Sequence, residues 1–250
     1  MSAKQAAQSQ NKKRATSPRT AEHEVVFLFD VDNTLFDNDR MSGDLFGHIG
    51  RAFGATARQR YLEIYEELRT ELGYADYLGA LERYRLEEMH DPHFLNVSNW
   101  LIEYPFAKRV FPGAIDVVEQ CRRWGKTAIL SDGDAVFQPR KVDQSGLWRA
   151  FGGNVLIFIH KERELDWVEK FYPAKHYVMF DDKLRLLEAI KEIWKDRVTT
   201  VFVQQGHYAA DKAANAKYSP ADHSVKRIAD ILHMKKADFL PKKRAASQGA

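Results

Sequence analysis

Two pairs of acidic residues follow short apolar runs and are the side chains best suited to chemistry. Asp30 and Asp32 stand two residues apart after one run, and Asp181 and Asp182 are adjacent at the end of another. A carboxylate can attack an electrophile, transfer a proton or hold a hard cation such as Mg²⁺. Acids after strands are also common in ordinary turns, because their side chains bond to nearby backbone. Neither pair therefore decides the chemistry alone.

A hydroxyl and a lysine follow two further apolar runs. Ser131-Asp132-Gly133 offers a hydroxyl, free backbone N–H groups and a glycine, which suit an oxyanion but are equally compatible with a turn. Lys161 follows the third run directly. A carboxylate and a phosphoryl group are both negatively charged, so attack requires cations that neutralise this charge. A lysine at this position can supply one of them. Its position after a strand favours Lys161 for this role. The alternatives are Lys170 and Lys175.

Five nearly continuous apolar runs predict strands that helices cover on both faces. Helical patterns separate most of them, and this alternation indicates an α/β fold with a doubly wound, Rossmann-like parallel sheet. Ligands bind at the carboxyl edge of such a sheet, which the acids, the hydroxyl and the lysine all reach. The predicted strands are residues 25–30, 127–131, 154–160, 176–181 and 198–203. The predicted helices are residues 114–124, 164–171 and 183–194.

Roughly a hundred residues separate the first predicted strand from the second, far more than a crossover between parallel strands needs. The pattern there is helical, clearest where Tyr61, Tyr65, Leu68 and Leu72 repeat at three- and four-residue spacing. This stripe is interpreted as the core of a small helical bundle rather than a ligand site. The predicted domains are an α/β core of residues 23–38 and 107–234 and an inserted α-helical domain of residues 39–106.

Taken together, the order and strand placement of the four motifs resemble those of the haloacid dehalogenase-like hydrolase superfamily, over about residues 24–205. The resemblance implies that Asp30 is the nucleophile and Asp32 the general acid and base. It also implies that Ser131 and Lys161 hold a transferring phosphoryl group. The implied phosphate contacts also include Asp132 and Gly133, and the implied Mg²⁺ ligands are Asp30, Asp32, Asp181 and Asp182.

The insertion resembles the helical cap that many members of this superfamily place over the active site. Asn38 and Arg40, near its start, are therefore candidate substrate contacts. Two residues depart from the family pattern, since Asn33 replaces the glycine most common after the second aspartate and Leu186 stands where many members have a further acid. Weaker candidates, for which a solvated or structural role is favoured, are Arg58, Arg60, Arg83, Arg85 and His207.

The second acid of the first motif separates two branches of this superfamily. The dehalogenase branch generally lacks an acid at the position of Asp32, because a halide leaving group needs no proton. Asp32 therefore favours a Mg²⁺-dependent phosphatase that hydrolyses a small phosphomonoester through an aspartyl-phosphate. The alternatives are a phosphotransferase or mutase, and a non-catalytic binding module. A signalling receiver domain is disfavoured, because it groups its acids differently and has no inserted helical domain.

The composition excludes an integral membrane protein. Of 250 residues, 29% are charged, the mean hydropathy is -0.49, and no apolar run approaches the roughly 20 residues that cross a bilayer. A single cysteine, Cys121, and the lack of an export-type apolar stretch favour a reducing cytoplasm. The expected partner is a small phosphorylated metabolite rather than a membrane or nucleic acid, and no oligomeric state is predicted.

The two ends of the chain are basic and its middle is acidic. Residues 1–20 carry a charge of +5 and residues 235–250 a charge of +4, which leaves -6 for the rest. Both ends are short of large apolar residues, so residues 1–22 and 235–250 are predicted to be disordered basic tails. A solvated tail is favoured over nucleic-acid binding. It is also favoured over a transit peptide, since the first twenty residues lack an apolar helical face.

Overall fold

A computed structural model describes residues 21–87 and 94–241 of the chain, and within them six parallel strands form one sheet. The strands are β1 (His23–Phe29), β2 (Lys126–Asp132), β3 (Val155–Phe158), β4 (Ala174–Asp181), β5 (Val198–Val203) and β6 (His223–Val225). Their order across the sheet is β3-β2-β1-β4-β5-β6. The winding reverses between β1 and β4, and a crevice forms at such a switch point, outside the carboxyl ends of the strands.

Within the described part of the chain, the first four of the five α-helices between β1 and β2 form a group. They are α1 (Asn38–Phe53), α2 (Ala55–Leu72), α3 (Tyr77–Glu87) and α4 (Phe94–Ile102), and we call them the helical insertion. The side chain of Asp37 begins α1 by accepting a hydrogen bond from the Arg40 N–H. Tyr61, Tyr65 and Leu68 are buried and Leu72 is partly buried, which confirms that the aromatic stripe is core.

Seven further helices in the described residues belong to the core, of which one precedes β2 and six follow β2 or a later strand. They are α5 (Ala114–Trp124), α6 (Phe137–Gln144), α7 (Leu147–Ala150), α8 (Leu165–Phe171), α9 (Leu184–Trp194), α10 (Gly206–Ala210) and α11 (Lys212–Asn215). Short 3₁₀ helices form at Phe106–Arg109, Lys161–Arg163, Lys195–Arg197, Ile228–His233 and Lys236–Phe239. Among the described helices, none has the length and apolarity to span a bilayer.

Alternate residues of β1 face two separate apolar cores. Val25, Phe27 and Phe29 belong to one cluster, together with residues of α5, α6 and α7, and Val26 and Leu28 belong to the other, with α8 and α9. Burial on both faces explains why this run has no alternating polar residues. The first cluster also includes the buried residues of the helical insertion, so the sheet and the insertion share one continuous core.

The predicted fold class is confirmed, and most predicted elements match the observed ones. Each of the five predicted strands overlaps an observed strand, and α5, α8 and α9 match the predicted helices to within one residue. The strand predicted over residues 154–160 is shorter, because β3 ends at Phe158 and the chain turns towards Lys161. The sequence pattern does not predict β6, which has only three residues and no apolar run.

The prediction of disorder from residue 235 onwards is wrong for residues 235–241. Lys236–Phe239 form a 3₁₀ helix, and the side chain of Phe239 is fully buried. Its ring centroid lies 6.1, 6.0 and 5.9 Å from those of Phe27, Trp124 and Phe180. Burial of this aromatic side chain anchors the basic segment to the core. The other predicted tail residues, 1–20 and 242–250, lie outside the described part of the chain.

Candidate active site

Acids predicted to carry the chemistry lie at the carboxyl ends of neighbouring strands. Phe29 of β1 pairs with Phe180 of β4, so Asp30 and Asp181 leave the sheet side by side at the switch point. The Asp30 N–H donates to the Phe180 carbonyl oxygen over 2.9 Å. Parallel pairing of two strands thus brings together residues that are far apart in the sequence.

Lys161 joins two of these acids. Its side chain is 1% exposed, and its Nζ lies 2.5 Å from Asp30 Oδ1 and 2.7 Å from Asp181 Oδ2. Its backbone N–H donates to Asp132 Oδ1 over 2.7 Å, which holds the 3₁₀ helix of Lys161 against β2. Burial alone would lower the pKa of the Lys161 amine, but the charges of Asp181 and Asp30 outweigh burial and raise that pKa. Lys161 is therefore a fixed buried cation at the site.

Three carboxylates, those of Asp30, Asp181 and Asp182, form a buried cluster. One oxygen atom from each lies within 4.8 Å of the others. Both oxygens of Asp182 are buried and have no hydrogen-bond partner among the described residues. A buried carboxylate without a partner is costly unless a cation neutralises it. The cluster therefore fits a hard divalent cation, which prefers carboxylate oxygens as ligands.

The charge balance of this cluster also favours a cation. Burial raises the pKa of Asp182 well above its ordinary value, and it raises the pKa of Asp181 although the ammonium of Lys161 opposes it. The Lys183 N–H donates to Asp181 Oδ1 over 2.9 Å. Burial would lower the pKa of the Lys183 amine, but Asp182 and Asp30 raise it. Burial thus disfavours the charged forms of these carboxyls, and a bound cation would stabilise them.

The carboxylate of Asp32 is not a member of this cluster among the described residues. It faces Lys141 of α6, whose Nζ lies 2.5 Å from Asp32 Oδ1 and donates to Asn38 Oδ1 over 3.1 Å. Asn38 Nδ2 in turn donates to the hydroxyl of Tyr77 over 3.0 Å. A chain of hydrogen bonds therefore links Asp32, the predicted general acid and base, to α3 of the helical insertion.

Lys141 is a site residue that the strand-end motifs do not predict. Its side chain is 1% exposed, and lysine is rarely buried so fully unless it is paired. A signal was present in the sequence, since Phe137, Lys141 and Ser145 recur every four residues and all three are buried. That spacing places Lys141 on the inner face of a helix. A lysine on the same helical face as Phe137 points to a buried acidic partner.

The Ser131 motif lies at the end of β2, and its groups already have partners. Ser131 Oγ accepts a hydrogen bond from Gln138 Nε2 over 3.0 Å, and the Gly133 N–H donates to the Phe158 carbonyl oxygen over 2.9 Å. The expectation that Gly133 offers a free N–H to an oxyanion is therefore wrong. Glycine is needed here because an added Cβ would lie 2.6 Å from Gln138 Cβ. The Ser131 hydroxyl stays a predicted phosphate contact.

The predicted arginines do not reach the carboxylate cluster. The side chain of Arg40 is 67% exposed and lies 3.6 Å from Asp44. Arg58 is exposed, and the other candidates in the insertion form surface ion pairs. The pairs are Arg60 with Glu63, Glu67 and Glu87, Arg83 with Glu71, and Arg85 with Glu82. The alternative lysines are also exposed, Lys170 over the Trp167 ring and Lys175 beside Glu24.

His207 has a structural role between the insertion and the core. Its N–H donates to Asp39 Oδ2 over 2.7 Å, and its Nδ1 lies 2.6 Å from Asp39 Oδ1. Burial opposes ionisation of Asp39, but hydrogen bonds from His207 and Asn33 outweigh it and lower the pKa. Asn33 has a φ of 58°, which explains why it can replace a glycine. A Cβ at Gly206 would lie within 2.6 Å of Asn33, so this junction is tightly packed.

Fold and site together define a Rossmann-like α/β protein whose acids gather at the switch point of its sheet, with a helical insertion after the first strand. A family model of haloacid dehalogenase-like hydrolases matches residues 25–193. The chain belongs to the haloacid dehalogenase-like hydrolases. Leu186, where many relatives have a further acid, is buried in α9 and offers no ligand.

Solved structures from three organisms illustrate the likeness. A haloacid dehalogenase-like hydrolase from Burkholderia xenovorans LB400 is 57% identical, covers 85% of this chain and 99% of its own, and superposes with a TM-score of 0.82. A phosphatase of the same superfamily from Thermococcus onnurineus (18% identity, TM-score 0.60) and an L-2-haloacid dehalogenase from Xanthobacter autotrophicus (19%, 0.57) each cover 83% of this chain and 96% of their own. No curated protein matches the chain.

Proposed function

We propose that the chain is a Mg²⁺-dependent phosphatase that acts in the cytoplasm on a small phosphomonoester, through an aspartyl-phosphate on Asp30. The observation that carries the proposal is the convergence of Asp30, Lys161 and the Asp182 carboxylate, which lacks a hydrogen-bond partner among the described residues. A transferring phosphoryl group needs cations around it. Displacing a halide from carbon needs neither a divalent cation nor a proton donor, so this arrangement favours phosphoryl transfer.

Each residue of the site has a defined task in this reaction. Lys161 holds Asp30 Oδ1, which leaves Oδ2 to bond to phosphorus as the ester P–O bond breaks. Asp32, protonated on Oδ2 while Lys141 contacts Oδ1, gives that proton to the leaving alkoxide, and as a carboxylate it later takes one from the water that hydrolyses the aspartyl-phosphate. Lys141 holds the Asp32 carboxylate in place. Mg²⁺, when bound by Asp30, Asp181 and Asp182, neutralises charge on the phosphoryl oxygens.

Phosphate release from phenyl phosphate, with and without Mg²⁺, tests the reaction. We expect release that needs Mg²⁺ and falls by about 10³-fold or more in Asp30→Asn, because the nucleophile is lost. Asp143→Asn, an exposed acid at the end of α6, is the matched control and should keep wild-type activity. Equal activity in wild type and Asp30→Asn would reject the mechanism. Chloride release from 2-chloropropionate instead would identify a dehalogenase, and phosphate transfer to an added alcohol a phosphotransferase.

The metal assignment has a test that does not depend on turnover. Mg²⁺ that binds only the folded state raises Tm, by an amount that grows with its concentration relative to Kd. We expect this rise in wild type and in Asp143→Asn but not in Asp182→Asn. The same rise in Asp182→Asn would show that Mg²⁺ binds elsewhere.

A further inference from the structure

A cavity of about 350 Å³ lies between α2 of the helical insertion and the core. The insertion contributes Arg69 and Gly73 to its lining, and the core contributes Lys183, Arg185 and Tyr208 among others. Its volume falls within the range of small-molecule sites, roughly 300–1,000 Å³. The phosphoryl-transfer chemistry described above makes no use of it.

Positive charge predominates in the lining of this cavity. Its lysine and arginine residues are Arg69, Lys183 and Arg185, and its acid is Asp211. His207 also lines it, with its ring bound to Asp39.

Both arginines keep donors for a ligand. Arg69 contacts Glu66 over 2.9 Å and Arg185 lies 3.8 Å from Glu162, with their side chains 33% and 53% exposed. A guanidinium carries five N–H donors, so one ion pair does not exhaust it. Arginine suits carboxylate and phosphate because its fork of donors matches two oxygens of either group.

Two of the cations surround an aromatic ring. Lys183 Nζ lies 4.7 Å from the centroid of the Tyr208 ring, and the guanidinium carbon of Arg69 lies 5.8 Å from it. The ring faces favour these cations and hold them at the cavity wall. Tyr208 thus brings a cation from the insertion and a cation from the core to one place.

Lys183 connects the cavity to the carboxylate cluster. It directly follows Asp182 in the sequence, and its N–H donates to Asp181 Oδ1 over 2.9 Å. Its side chain lines the cavity. Lys183 therefore joins the lining of the cavity to the cluster, on the side where the insertion meets the core.

We propose that this cavity binds the leaving group of the substrate and that this group carries a second anion, a carboxylate or a phosphate, held by Arg69 and Arg185. The inference rests on the proposed phosphatase activity and names its preferred substrates as phosphomonoesters with two anionic ends. A neutral alcohol of the same size makes no ion pair with either guanidinium group and binds more weakly.

Binding of unreactive phosphonates tests the cavity separately from turnover. The probes, with Mg²⁺ present, are 3-phosphonopropionate, propane-1,3-bisphosphonate and propylphosphonate, and calorimetry gives each Kd. We expect wild type to bind one of the two doubly anionic probes about tenfold or more tightly than propylphosphonate, a difference of about 1.4 kcal/mol. The preferred probe identifies the second anion as a carboxylate or a phosphate.

Substitutions of Arg69 and Arg185 test whether these residues cause the preference for doubly anionic probes. Arg69→Gln and Arg185→Gln should each reduce the preference severalfold, while Arg122→Gln, an exposed arginine of α5, keeps it. Equal binding of all probes, no binding of any probe, or a preference unchanged in both variants overturns the proposal. If phenyl phosphate is still hydrolysed, such a result leaves the phosphatase intact. If the preference is present but hydrolysis is absent, the cavity assignment stands and the reaction is rejected.

Discussion

Asp32 and Asp30 are two residues apart, yet they have different partners. Asp30 contacts Lys161 and belongs to the carboxylate cluster, whereas Asp32 contacts Lys141 on α6. Because Lys161 and Lys141 lie on different elements, the two acids are held in different places. In the proposed mechanism, Asp30 is held at the cluster for attack and Asp32 is held by Lys141 for proton transfer. Lys141 thus has a positioning role in the proposed mechanism.

Replacement of Lys141 by methionine, which has a similar shape and no charge, tests this role. In Lys141→Met, Asp32 and Asn38 lose a common donor. We expect kcat for phenyl phosphate to fall about 10- to 100-fold with little change in KM, because proton transfer depends on the orientation of Asp32. We also expect the free energy of unfolding to fall by about 1–3 kcal/mol, as measured in urea.

Two further variants separate positioning from stability. Lys217→Met, at an exposed lysine, should leave both kcat and stability unchanged. Lys141→Arg keeps the charge and a donor, and should recover part of kcat. A Lys141→Met protein that loses stability but keeps wild-type kcat would show that Lys141 has only a structural role.

At the scale of elements, continuous apolar runs suffice to predict the sheet, because each central strand is buried on both faces and shows it in sequence. Parallel strands then place Asp30, Ser131 and Asp181 at one edge. Edge elements carry a weaker signal, and β6 is held by pairing with β5 rather than by an apolar run of its own. Contacts between elements, such as that of Lys141 with Asp32, depend on how the helices pack. The motifs at the strand ends therefore do not predict them.

Residues 235–241, after the last strand, are ordered by tertiary contacts that their own sequence does not reveal. Their lysines predict a solvated tail, but Phe239 packs into the core, and the Thr199 hydroxyl donates to the Phe239 carbonyl oxygen over 2.9 Å. Thr199 Oγ1 also lies 2.9 Å from Nε2 of the buried His176. Thr199 of β5 therefore contacts both the C-terminal segment and His176 of β4.

This histidine predicts a pH dependence of stability. Burial lowers the pKa of His176 below its ordinary value, so the unfolded chain takes up a proton at this residue at a higher pH than the folded chain does. Its contribution to stability is therefore present above the unfolded pKa, near 6.5, and is lost as pH falls below it. Urea unfolding from pH 7.5 down to pH 5 should show a smaller loss of stability in His176→Gln than in wild type. His233→Gln, at an exposed histidine, should follow wild type, and parallel curves for all three proteins would contradict the assignment.

At the scale of the whole molecule, the insertion and the sheet are one packed body. Aromatic rings connect them, with centroid distances of 5.5 Å between Tyr77 of α3 and Phe137 of α6 and 5.7 Å between Phe137 and Phe106. The Asp39 and His207 junction adds polar contacts between α1 and α10. If the insertion unfolded alone, the sheet would lose the packing that the two share in one core. Unfolding of the insertion by itself is therefore disfavoured.

We therefore expect the insertion and the core to unfold in one cooperative transition. Trp100 reports on α4 of the insertion and Trp194 on α9 of the core. Two proteins, each keeping one of these tryptophans with the other four replaced by phenylalanine, allow fluorescence in urea to follow each region. Coincident fluorescence and far-UV circular dichroism midpoints within each protein are the expected result, because two-state unfolding gives the same midpoint by every probe. Comparison within one protein removes the effect of the substitutions on stability. A Trp100 transition at lower urea than the circular dichroism transition of the same protein would show that the insertion is a separately folding unit, joined to the sheet by contacts weaker than the shared core implies.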